Sequence, residues 1–212
     1  MSGLRGVVLA AGAGTRLRPL TYVRPKPLWP VGRHTLLRWA VDRVRPYVDD
    51  VAANVHAHPG QMLAALRRLE VHASVEHPVA LGTAGALGRL RPWLDGADVM
   101  LTNADAWYPP AAARPVLDDL VAGWDRVRPR LLCVAAPGRG DFGDLRYVGT
   151  CLLPWSAVAG LEAVPSGLYE VSWRSAYANG GLDLLVTRLA AIDCGTPRDL
   201  LRANRAALTP SR

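Results

Sequence analysis

Lysine is all but missing from this chain. Of 25 Lys and Arg residues, 24 are Arg and only Lys26 is Lys. Isoleucine, phenylalanine and asparagine are also scarce, a usage expected where A/T-rich codons are disfavoured. Lysine is hard to replace by arginine where a compact point charge on a slim stem must reach one oxygen. Lys26, set in Arg24-Pro25-Lys26-Pro27-Leu28, is therefore expected to contact a phosphate. No apolar run reaches the ~20 residues needed to span a bilayer, and Val7 to Ala11 passes into glycines without a cleavage-site pattern. These absences predict a soluble, cytoplasmic protein with no membrane partner. Three cysteines, Cys133, Cys151 and Cys194, are odd in number and widely spaced, which excludes a disulfide framework or a zinc site. Helix-turn-helix, zinc-finger and aromatic RNA-binding patterns are absent too. The formal charge of +7 is spread over scattered arginines, so nucleic acid is set aside as a partner in favour of small phosphorylated substrates.

What is present is one alternating pattern. At 212 residues, half of them hydrophobic, the chain suits a single domain, 1–212, with one substantial core. Apolar runs at 6–10, 48–55, 71–75, 99–102 and 131–135 read as strands. They alternate with helical spacing at 36–44, 59–69, 83–90 and 115–124. Further on, a strand is expected at 147–153, a helix at 169–178, short strands at 184–186 and 190–192, and a last helix from Pro197 to about Leu208. The alternation predicts an α/β fold: a mostly parallel sheet covered by helices on both faces. In such sheets ligands bind outside the carboxyl ends of the strands, here the loops after residues 10, 75, 102 and 192.

The loop after the first run reads Gly12-Ala13-Gly14-Thr15-Arg16-Leu17-Arg18-Pro19-Leu20-Thr21, with Lys26 close behind. Glycines let backbone N–H groups close on phosphate oxygens, and the cations supply charge. Neither a Gly-Lys-Ser/Thr ending nor the third glycine of a dinucleotide fingerprint is present. The stretch from Leu9 to Leu28 closely resembles the signature of the sugar-1-phosphate nucleotidyltransferase family, including its compact mannose-1-phosphate guanylyltransferases and N-acetylmuramate-1-phosphate uridylyltransferases. The resemblance implies a Rossmann-like three-layer nucleotidyltransferase fold. It also implies transfer of a nucleotidyl group from a nucleoside triphosphate to a sugar 1-phosphate, with release of pyrophosphate. Leu9, Ala10, Ala11, Gly12, Gly14 and Thr15 would wrap the nucleotide, Arg16 would steady the triphosphate, and Lys26 would hold the reacting phosphates.

Matches continue in family order. Asn54-Val55-His56 follows the second strand. Glu76-His77-Pro78 with Leu81-Gly82-Thr83-Ala84-Gly85 resembles the base-recognition segment, in which Glu76, His77, Gly82 and Thr83 would read the nucleobase. Asp105, at the tip of Leu101-Thr102-Asn103-Ala104-Asp105, and Asp193, in Asp193-Cys194-Gly195-Thr196-Pro197, match the family's two ligands for Mg²⁺. Mg²⁺ favours one or two carboxylates completed by phosphate and water oxygens. The family's Glu-Lys-Pro element on the sugar side is missing, which leaves the sugar-binding residues unassigned. Arg139, Asp144 and Arg146, and then Glu170, Trp173 and Arg174, are the substitutes within reach of the sequence. Two alternatives stand beside this reading: a guanylyltransferase of the molybdenum-cofactor type, and a non-catalytic sensor of sugar nucleotides. Monomer and homodimer fit equally.

Overall fold

The computed structural model describes residues 3–208, so the termini of the expected 1–212 domain lie outside the described residues. Eleven strands occur among them: β1 Leu4–Leu9, β2 Pro30–Val31, β3 His34–Thr35, β4 Val51–Val55, β5 His72–Val75, β6 Asp98–Asn103, β7 Ala106–Trp107, β8 Arg130–Ala135, β9 Leu145–Leu153, β10 Asp183–Thr187 and β11 Ile192–Asp193. The helices are α1 Leu20–Val23, α2 Leu36–Val44, α3 Pro59–Arg68, α4 Gly82–Leu94, α5 Pro110–Ala122, α6 Trp155–Val158, α7 Arg174–Ala178 and α8 Pro197–Leu208. Seven strands form one sheet in the order β10-β8-β9-β6-β1-β4-β5. All its neighbours pair in parallel except β9, which runs antiparallel between β6 and β8.

Burial on both faces accounts for the unbroken apolar runs. Along β1, Val7 joins the core on one side of the sheet and Val8 the core on the other; Leu101 and Met100 of β6 divide the same way. One side is filled from α2, α3 and α5 by Leu37, Val41, Met62, Leu66, Leu117 and Leu120. The opposite side is filled from α4 and α6 by Leu87, Leu90, Leu94 and Val158. A third, smaller cluster tucks α8 beneath the substrate-facing loops through Leu200 and Ala203 packed with Leu17, Val31, Leu36 and Trp107.

Several boundaries differ from the sequence expectations. Helix α4 runs past Pro92 to Leu94 and ends with Asp95 in the left-handed region at φ 48°. Helix α5 starts at Pro110, not Pro115, because Pro110 occupies its first turn, where no N–H is needed. The segment 169–178 opens with a π-helical turn, Tyr169–Trp173, before α7.

Candidate active site

After β5 the chain returns to the other side of β1 to form β6, so the direction of winding switches at β1. Open α/β sheets bind ligands at such a point. Leu9 of β1 stands beside Asn103 of β6 in register, and the glycine loop leaves β1 next to Ala104 and Asp105.

That loop is held from three directions. Ala10 N–H donates to Asn54 Oδ1 at 2.6 Å. Thr21 Oγ1 donates to the Gly14 carbonyl at 3.1 Å, and His58 Nε2 contacts the Thr21 carbonyl at 2.8 Å. Gly14 is required twice over: its φ is 61°, and a Cβ there would lie 2.9 Å from Thr21 Cγ2 and 3.1 Å from Lys26 Cβ. The close fit places Lys26 directly under the loop. Lys26 Nζ donates to Asp105 Oδ2, with the lysine side chain only 11% exposed. Arg16 reaches the second acidic residue, Nη2 to Asp193 Oδ2 at 3.6 Å, across Gly195, where a Cβ would fall 2.8 Å from that nitrogen.

The two carboxylates arrive together because β7 and β11 pair antiparallel, Asp193 opposite Ala106, while Cys194 N–H donates to the Asp105 carbonyl at 2.9 Å. Burial, and then the charge of Asp105, push the Asp193 carboxyl above its ordinary value. A site where one carboxylate resists the ionisation of the other is suited to a divalent cation. Among the described residues there is no cluster of three or more His, Cys, Asp or Glu that could hold a metal, so a cation here would take two carboxylates, Asp105 and Asp193, from the protein. That donor set fits Mg²⁺, which leaves most of its coordination to phosphate and water oxygens.

Two cavities meet at Asn103 and Asp105. The first, about 240 Å³, is lined by Leu9 to Gly12, Lys26, Asn54, Gly82 and Thr83. The second, about 630 Å³, is lined by Arg16, Asp141, Arg146, Tyr147, Asp193 and Arg202. Lys26 therefore faces one half, Arg16 and Asp193 the other, and Asp105 both. Thr15 is exposed beyond the lining of either.

The base-side segment departs from expectation. Glu76 is 2% exposed and does not face the cavity. Its Oε1 accepts from Asn54 Nδ2 at 2.8 Å and its Oε2 from Leu81 N–H at 2.8 Å, so both oxygens serve the loop behind the cavity wall. His77 is exposed and lies outside the lining. Gly82 does permit a close approach, but to protein: at φ 71°, a Cβ would come within 2.5 Å of the Ser166 carbonyl oxygen. Thr83 lines the cavity while its Oγ1 accepts from Leu168 N–H at 2.7 Å.

Of the six suggested substitutes on the sugar side, only Arg146 lines the second cavity. Asp144 accepts from Gly138 N–H in a turn, Trp173 is in the core, and Arg174 lies over the Tyr169 ring. Asp141, Tyr147 and Arg202 were missed. Arg202 is held one turn along α8 from Asp199, whose Oδ2 accepts from Thr196 Oγ1 at 2.6 Å while its own N–H donates to that hydroxyl at 3.2 Å. The Thr-Pro-x-Asp start of this helix was the available signal, because it fixes which face turns to the site.

The family model of the MobA-like NTP transferase domain matches residues 6–177. The chain belongs to this family. Among curated relatives, the transferase domain is 36% identical over 153 residues to the N-acetylmuramate alpha-1-phosphate uridylyltransferase of Caulobacter vibrioides, covering 66% of the chain and 62% of the relative. It is 32% identical over 112 residues to the mannose-1-phosphate guanyltransferase of Debaryomyces hansenii, covering 48% and 30%. The chain thus spans less than two thirds of the length of these relatives. The transferase domain also shares its fold with a putative glucose-1-phosphate thymidylyltransferase from Bacillus anthracis, at a TM-score of 0.79 and 19% identity, covering 99% of the chain and 97% of the neighbour. The Rossmann-like three-layer nucleotidyltransferase expectation for the fold is met.

Proposed function

We propose that the domain transfers a nucleotidyl group from a nucleoside triphosphate to a sugar 1-phosphate, in a reaction dependent on Mg²⁺ held by Asp105 and Asp193. The observation that carries this reading is the Lys26–Asp105 contact at the junction of the two cavities, one walled by the glycine loop and the other by three arginines. The names of the relatives, uridylyl- and guanylyltransferases of sugar phosphates, point the same way.

The nucleotide occupies the glycine-loop cavity, and the sugar phosphate occupies the part of the second cavity lined by Arg146 and Arg202. An oxygen of the sugar phosphate attacks the α-phosphorus, a new P–O bond forms, and the bond to the β-phosphate oxygen breaks as pyrophosphate leaves. No bond to the protein forms. Asp105 and Asp193 would hold Mg²⁺, which would supply positive charge to offset the charge that develops on the phosphates. Lys26 exchanges Asp105 for the phosphates, and Arg16 exchanges Asp193 for the leaving pyrophosphate. Both cations are thereby stationed before substrate arrives, and this preorganisation supplies most of the rate. We place the enzyme in the cytoplasm, acting as monomer or homodimer. Three free cysteines suit a reducing compartment, and among the described residues no helix is long and apolar enough to cross a membrane.

The test runs the reaction backwards: protein, Mg²⁺, pyrophosphate and a panel of nucleoside-diphosphate sugars, scored for triphosphate. Release from one or two sugars, reduced at least ~10²-fold in Asp105→Ala, is expected by analogy with loss of one preorganised transition-state contact. Equal turnover by wild type and Asp105→Ala, or silence across the panel alongside tight nucleotide binding, would sink the assignment.

A further inference from the structure

Arg43 is a cation sealed inside the protein. It sits on α2 at 8% exposure, and burial lowers its pKa from the ordinary value. Among the described residues no ion pair includes it, although the charge of Asp105 works against that lowering. Its Nη1 donates to Thr102 Oγ1 at 2.7 Å, its Nη2 donates to the Ala106 carbonyl, and its Cζ stands 3.9 Å from the Tyr108 ring centroid. A guanidinium whose direct hydrogen-bond partners are all neutral is costly to bury, and an apolar side chain of similar length would meet no such penalty. Arg43 also borders a cavity of about 130 Å³ lined by Trp39, Tyr47, Tyr108 and Leu117, on the side of α2 away from Leu37 and Val41.

Its three partners bracket one residue. Thr102 lies three positions before Asp105, Ala106 immediately after it, and Tyr108 three positions after it. Two of them are themselves fastened to β9: Thr102 Oγ1 meets Thr150 Oγ1 at 2.9 Å, and Tyr108 OH donates to the Val148 carbonyl at 2.7 Å. The carbonyl that Arg43 holds belongs to the residue paired with Asp193. The guanidinium therefore fixes the backbone on both sides of Asp105 and, through β7, the strand that delivers Asp193. Planar geometry is what the task needs, since one rigid fork spans a side-chain hydroxyl and a backbone carbonyl at once.

We infer that Arg43 is a positioning residue, which holds the β6–β7 corner so that Asp105 and Asp193 meet the same cation. It touches neither substrate. The inference rests on the proposed function for the meaning of those carboxylates, and its test is chosen to be separable from it. Partners of metal ligands outside the coordination sphere typically set ~10–100-fold in affinity or activity.

Mn²⁺ binding, measured by electron paramagnetic resonance without any substrate, is compared for wild type, Arg43→Met and Arg43→Lys. The expected result is a loss of ~10–100-fold in Mn²⁺ affinity for Arg43→Met and a smaller loss for Arg43→Lys, which keeps the charge but not the fork. In steady state, kcat should fall by a similar factor while KM for the triphosphate, set by the glycine loop, stays within about twofold. Should Arg43→Met fail to fold, Arg43→Lys alone decides: wild-type Mn²⁺ affinity and kcat in that folded variant overturn the inference, as they would in Arg43→Met. A wild-type protein that binds Mn²⁺ but transfers no nucleotidyl group defeats the proposed function and leaves the comparison of affinities intact.

Discussion

Glu76 shapes the candidate site from behind its wall. Its two oxygens join Asn54, which holds the glycine loop through Ala10, to Leu81, which begins the segment carrying Gly82 and Thr83. Both partners are donors, so only a carboxylate satisfies them together. Glu76→Gln keeps the shape and sets an amide N–H₂ against one of those donors. The expected loss is about 1–3 kcal/mol of stability, the cost of a buried group left unmatched. With it comes a rise in KM for the triphosphate larger than the fall in kcat, read by urea denaturation and steady-state kinetics; unchanged KM and stability would show the bracket to be idle. The same residue marks the limit of sequence reading at this scale. Lys26, Arg16, Asp105 and Asp193 were legible because their residue type names their chemistry, with Asp105 and Asp193 at or just beyond strand ends and Arg16 and Lys26 in the run that follows the first strand. Glu76 was equally conspicuous, yet the direction in which it points depends on Asn54, 22 residues away. Arg43 could not be picked out from 23 other arginines, because its burial is decided by β6 and β7 rather than by its neighbours on α2.

At the scale of elements, α4 is set against segment 162–166 by a row of glycines. Gly82, Gly85 and Gly88 recur every three residues, and a Cβ on the latter two would lie 2.1 Å from the Val164 oxygen and 2.3 Å from the Glu162 carbonyl carbon. Backbone, not a pliant side chain, is what such a methyl would strike. Gly85→Ala should therefore destabilise by about 1–3 kcal/mol through forced movement of α4. Gly60→Ala, in α3 with nothing within 4 Å of its Cβ, should stabilise by roughly 0.5–1 kcal/mol. Thermal denaturation of the two variants reads opposite signs, and a neutral Gly85→Ala would mean that the approach is looser than drawn. Strands were the most legible elements: two-sided burial makes β1, β4, β6 and β8 continuous apolar runs bounded by turn residues. Helix ends were less so, since Pro92 and Pro115 read as stops or starts although both lie inside helices. The reversed direction of β9 had no signal at all, because a residue pattern records which face is buried and not which way the chain runs.

Taken whole, the molecule presents a net charge of +7 to the two anionic substrates proposed for it, with Lys26, Arg16, Arg146 and Arg202 around the paired cavities. A field of that sign gathers phosphorylated ligands at the site before any contact forms. Screening shortens its reach from about 10 Å at 0.1 M salt to about 3 Å at 1 M. kcat/KM for triphosphate and for sugar phosphate should therefore both fall, roughly tenfold between low and high salt, while kcat, set by contacts already formed, changes much less. Local and global charge separate in one variant. Arg202→Gln removes a single unit from +7, too little to alter the field over the nucleotide cavity, but it strips one of the two arginines, Arg146 and Arg202, proposed for the acceptor. If Arg202 meets the sugar phosphate directly, its loss raises KM for that substrate alone and flattens the salt dependence for that substrate alone. An equal effect on both substrates would assign Arg202 to the general field and leave Arg146 to hold the acceptor.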